Sequence, residues 1–150
     1  MPFTAVQSRA PSIDAPTGVA ALDPVARTTL ARLRLVGAQC RVLARSGPAE
    51  SCAILSVESE NRADAVARVL LRLFSGEGGM PRLRLYQPGA PEVSFDESWL
   101  LAALSAAARD DIASLTFLLA RRLPRHARRP VGRLFVALSQ APDARIGAAA

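Results

Sequence analysis

Residues 121–133 hold six arginines, the only histidine and two prolines, and no acid. Arg121, Arg122, Arg125, His126, Arg128, Arg129 and Arg133 are the side chains whose types and spacing could do chemistry, and that chemistry is anion or partner recognition. A guanidinium donates paired, charge-assisted hydrogen bonds to carboxylate or phosphate. The chain has 19 basic and 13 acidic residues. Removing these six arginines leaves 13 of each sign, so one segment carries the whole formal net charge of +6. Its members are not equivalent. Arg121 and Arg122 fall in the last turn of an expected helix, where cations complement the negative end of the dipole. Arg128 and Arg129 precede the helix that Pro130 is expected to open, which sets two positive charges beside a positive helix end. That placement costs about 0.3–1 kcal/mol per charge, and an anion or an acidic partner lowers the cost.

Bond-making chemistry finds little support elsewhere. Every basic residue is arginine and none is lysine, which excludes Schiff-base and pyridoxal-phosphate enzymes and P-loop hydrolases. His126 has no nucleophile or orienting acid beside it in sequence. Asp96, Glu97, Asp110 and Asp111 flank expected helix starts, where capping and the dipole account for them. Glu58 and Glu60 are two residues apart, face different sides of a helix, and read as surface. The glycine-rich loop at 76–79 lacks the strand, the helix start and the GK[ST] element of a phosphate cradle. Cys40 and Cys52 form no C-x-x-C motif; they read first as reduced, buried, small apolar side chains and second as a redox pair. No catalytic residue, metal or cofactor is expected, and an enzyme would need a polar pocket assembled from residues far apart in the chain.

The leading expectation is therefore a non-enzymatic helical protein-interaction or regulatory module that uses its Arg-rich corner on an acidic partner. The alternative is a nucleic-acid-binding regulator, for which a pI near 11.1 speaks. Against it, the basic segment has no interleaved aromatic for base stacking, and its Pro-flanked connection is not a compact helix-turn-helix. Membrane-surface binding is weaker still, because the apolar residues of the last helix are needed for a core. With neither a signal-like apolar run near the start nor 18 consecutive apolar residues anywhere, the chain is expected to be cytoplasmic.

The elements that position this corner follow from periodicity. Half of the 150 residues are apolar, enough for one core. Residues 1–20 mix Pro, Ser, Thr and Ala without period and are expected to be a disordered tail. A helical domain is expected over 21–146. Asp23-Pro24 reads as a helix start, with Leu30, Leu33, Gly37, Cys40 and Ala44 on one face until Ser46-Gly47-Pro48. Pro48 opens a second helix of uncertain length. Val66, Val69, Leu70, Leu73 and Phe74 follow helical spacing up to Ser75-Gly76. Arg82-Leu83-Arg84-Leu85-Tyr86 alternates like a strand with no partner, and is expected to be an extended connector laying Leu83 and Leu85 on the helices, or else a pairing edge. Ser94 and Glu97 make a capping box ahead of a helix whose Phe95 and Trp99 read as core anchors. Ile112, Leu115, Leu118, Leu119 and Leu123 form the next apolar face, ended by Pro124. Val131, Leu134, Phe135 and Leu138 form the last. The expected fold is all-α, a single bundle of five or six helices, and a leftover apolar face would allow a homodimer.

From Gln87-Pro88-Gly89 through Ser94-Phe95-Asp96-Glu97-Ser98-Trp99-Leu100-Leu101 to Asp110-Asp111, the chain resembles a family of short, uncharacterised helical proteins from GC-rich bacteria. The resemblance covers the last two-thirds of the chain and implies an intracellular bacterial protein. It carries over neither a catalytic residue nor a ligand.

Overall fold

The Asp23 carboxylate accepts a hydrogen bond from the Ala26 amide at 2.9 Å and so caps the first helix, α1 (Pro24–Leu43). The computed structural model describes residues 18–43 and 62–141. Among them lie four further helices: α2 (Arg62–Leu73), α3 (Phe95–Ala108), α4 (Ile112–Arg122) and α5 (Arg125–Gln140). The architecture is all-α, as expected. The expected tail over 1–17, the helix opening at Pro48, Cys52, Glu58 and Glu60 lie outside the described residues.

Helix α3 has almost no polar face, and a helix apolar on all sides belongs inside a bundle. Its Trp99, Leu100, Ala103, Leu104, Ala106 and Ala107 are all buried, and it packs against α1, α4 and α5. Helix α2 fills the space between α1 and α5. Trp99 stands edge-on to Phe74 at 5.7 Å and to Phe135 at 5.8 Å, the T-shaped geometry that ring quadrupoles favour. Its indole N–H donates to the Leu118 carbonyl at 3.2 Å, so the largest core side chain buries no orphan donor.

The alternating segment around Leu83 is an extended connector, not a strand. Leu83 and Leu85 lie half-buried against the core. Apart from a single antiparallel bridge between Arg82 and Ser75, its backbone groups go to side chains at the start of α3. The Arg84 amide donates to Asp96 (2.6 Å), the Tyr86 amide donates to Glu97 (2.8 Å), and the Ser94 hydroxyl donates to the Arg84 carbonyl (2.6 Å). At the connector's far end the Val19 amide donates to the Pro91 carbonyl at 2.8 Å, ahead of a short 3₁₀ turn, Val19–Ala21. Residues 18–20, assigned from sequence to the tail, are thus docked on the connector. Gly37 leaves room for the tip of the Leu85 side chain on α1: a Cβ there would lie 2.7 Å from the Leu85 Cδ1, which would have to turn aside.

The expected capping box is present: Ser94 Oγ accepts from the Glu97 amide and Glu97 accepts from the Ser94 amide. Glu97 does more than cap. It is fully buried and forms a two-pronged ion pair with Arg34, at 2.8 and 3.0 Å, between residues 63 positions apart. Arg34 also donates to the Ala90 and Glu92 carbonyls, so one buried guanidinium joins α1, the connector and α3.

Three expectations need correction. Helix α5 begins at Arg125, not at Pro130. Pro124 takes an extended conformation and its carbonyl accepts from the Ala127 amide at 3.0 Å, while the buried series Ala127, Val131, Phe135 and Leu138 carries the helix through Pro130. The proline removes only the bond to the His126 carbonyl, on an exposed stretch. Phe95 is 77% exposed, because the first residue of α3 lies beyond the core. Of the two acids before α4, Asp111 caps it through the Ser114 amide at 3.0 Å, whereas Asp110 is the left-handed turn residue with φ 55°.

Candidate partner-binding surface

The basic segment spans the end of α4, the Leu123-Pro124 turn and the first two turns of α5, and the fold sorts its members by task. Arg122 is tied inward. Its Nη2 pairs with Asp96 at 2.6 Å, and its guanidinium lies over the rings of Phe95 (5.4 Å) and Trp99 (5.1 Å). The Nη1 of the same group is buried without a hydrogen-bond partner, so this arginine locks the end of α4 to the start of α3 by ring contact as much as by charge. Arg128 folds back over the end of α4, donating to the Leu123 carbonyl at 3.1 Å and to the Ala120 carbonyl at 3.2 Å. Those carbonyls end a helix and have few other acceptor roles, so Arg128 serves as a C-terminal cap.

The rest face outward. Arg121 is exposed and lies 5.9 Å from the ring of Phe117, itself exposed one turn earlier on α4. Arg125 and His126 are exposed at the start of α5. Arg125, Arg129 and Arg133 recur every four residues along one helix face, at about 6 Å per step. Among the described residues none of the three meets a carboxylate. The first turn of α5 contains no acid and its N-cap side chain makes no hydrogen bond. The unfavourable meeting of cation and positive helix end therefore holds for Arg125, at the first position of the helix, whereas Arg129 lies a turn further in, where the effect has fallen off.

Arg128, Arg129 and Arg133 border a groove between α4 and α5 of about 530 Å³. Its apolar lining comes from Ile112, Leu115, Leu119, Val136 and Ala137, and no acid contributes. A second groove of about 590 Å³, between α3 and α4, is lined mainly by small residues. Its one cation, Arg109, already donates to the Ser105 hydroxyl.

Among the described residues no group of three or more His, Cys, Asp or Glu could hold a metal ion. Cys40 is half-buried against the core, and burial pushes its thiol up, only partly offset by the charges of Arg68, Arg72 and Arg41. Among the described residues no helix is long and apolar enough to cross a membrane. No family model, curated protein or solved structure matches this chain.

The residue that sequence reasoning missed is Arg34, which organises the whole connector. A signal was present: Arg34 is four residues after Leu30 and three before Gly37, a charge on the apolar face of α1. A cation at such a position needs a buried partner.

Proposed function

We propose that this chain is a non-enzymatic helical interaction or regulatory module whose α5 ridge, Arg125, Arg129 and Arg133, engages the acidic surface of a protein partner. Arg121 and His126 flank the ridge. The observation that carries this reading is the row of three guanidinium groups on one exposed face, without a carboxylate among the described residues. One of them, Arg125 in the first turn of α5, also bears an unfavourable dipole interaction that an acidic ligand would relieve. Arg122 and Arg128, which the sequence grouped with them, act within the fold. The reading carries with it the cytoplasmic setting expected from the sequence and the intracellular, bacterial one implied by the resemblance over 87–111.

The second reading, a nucleic-acid-binding regulator, draws on the same guanidinium chemistry and on the pI near 11.1. Capture from nuclease-treated lysate, quantified by mass spectrometry, separates the two. Replacing Arg125, Arg129 and Arg133 together with alanine is expected to reduce recovery of acidic protein partners by at least about tenfold, since each charge-assisted hydrogen bond contributes about 1.5–3 kcal/mol. An unchanged set of captured proteins removes the ridge from binding. Loss of all capture on nuclease treatment alone favours nucleic acid.

A further inference from the structure

The groove between α4 and α5 offers more than charge. Ile112, at its α4 edge, is 57% exposed and adds accessible apolar surface beside the row of cations. Val136 and Ala137 continue the apolar wall on α5, with Leu115 and Leu119 beneath. Gly132 lies over Leu119: a Cβ there would come within 3.3 Å of Leu119 Cδ1, so the absent side chain keeps the floor clear. Arg129 and Arg133 border the lining, which includes no acid and no aromatic residue.

We propose that this groove receives one amphipathic helix of an acidic protein partner. Apolar residues at helical spacing lie on Ile112, Val136 and Ala137, and glutamate or aspartate along one edge reaches Arg129 and Arg133. The inference rests on the acidic-partner reading and gives it a shape, the helix-in-groove mode in which anchors recur at i, i+3 or i+4, and i+7. A volume of about 530 Å³ takes several such anchors rather than one. Charge chooses among the occupants. A second copy of a chain with net charge +6, paired symmetrically here, would oppose arginine to arginine. A single nucleic-acid strand would find no ring to stack on and would leave the apolar wall uncovered.

The test selects from a display library of amphipathic helical peptides, randomised among Glu, Lys, Gln and Ser at their polar positions, on the full chain. The enriched peptide is then titrated by fluorescence polarisation. Glutamate is expected to accumulate along one edge. Affinity is expected to fall at least about tenfold in Arg129→Glu/Arg133→Glu, in Thr116→Trp, which fills the groove from an exposed position, and in Ile112→Ser, with thermal melting of all three close to that of the parent. Binding of acidic peptides that depends on the arginines but survives both Thr116→Trp and Ile112→Ser overturns the groove and leaves the ridge reading standing. Indifference to all three variants overturns both. Selection without acid enrichment, self-association lost in the same variants, or displacement of the peptide by oligothymidylate also overturns the proposed occupant.

Discussion

Replacing Glu97 with alanine is expected to destabilise the fold by about 3–5 kcal/mol, the range for removing one member of a buried ion pair. Arg34 and Glu97 are 3% and 0% exposed, so solvent cannot screen the charge left behind. The substitution also strips acceptors from the Tyr86 and Ser94 amides and frees the connector from α3. Ser94→Ala, which removes the cap and the hydroxyl's bond to the Arg84 carbonyl but leaves no buried charge unpaired, is expected to cost about 1–2 kcal/mol. Urea denaturation monitored by circular dichroism measures both, and equal midpoints for the two variants would reduce Glu97 to an ordinary cap. Acid adds a second signature. Burial raises the Glu97 carboxyl, but hydrogen bonds from Arg34, Ser94 and Tyr86, with the Arg34 charge, outweigh it and hold it below the usual glutamate range. A carboxyl depressed on folding contributes stability that is complete above its unfolded value of about 4.3 and is lost as pH falls through the folded value. The wild type is therefore expected to lose stability across that acid window more steeply than Glu97→Ala.

The second large effect is Phe135→Ala, at about 3–5 kcal/mol. Phe135 is fully buried on α5 and meets Trp99 at an interplanar angle of 85°, so truncation opens a cavity where α3 and α5 join. Phe95→Ala is the informative contrast. With 77% of its surface already in water, its loss is expected to change stability by no more than about 0.5 kcal/mol, even though the Arg122 guanidinium covers its ring. Thermal melting of the two variants side by side tests which aromatic anchors the bundle. Comparable losses would contradict the packing of α3 described above.

Local signals in the sequence read well where the cause was local. Asp23, Ser94 and Asp111 each accept from an amide three residues on, because capping needs only a short acceptor beside a helix start. Leu115, Leu118, Leu119 and Leu123 around α4 and the connector's Leu83 and Leu85 were legible for a similar reason, burial repeating with the period of the backbone, whereas Ile112, expected on the same face, is exposed at the first position of the helix. What escaped was set by distant neighbours or by competing preferences. Nothing near Glu97 announces a partner 63 residues earlier. Pro130 signals a helix start locally, yet the helix runs through it, with Ala127 before it buried on the same face as Val131, Phe135 and Leu138 after it. In the basic segment, composition revealed the excess charge but not its division. Arg122 and Arg128 are separated from their neighbours only by the position of Asp96 and of the last carbonyls of α4.

Whether the α5 ridge is a docking surface is answered most directly by titrating the ¹⁵N-labelled full chain with a glutamate-rich amphipathic peptide and following its amide resonances. Saturable shifts gathered at Ile112, Thr116 and residues 125–137, abolished in Arg125→Ala/Arg129→Ala/Arg133→Ala, are the predicted result. Shifts that never saturate, that centre on another face, or that persist in the triple variant would contradict it.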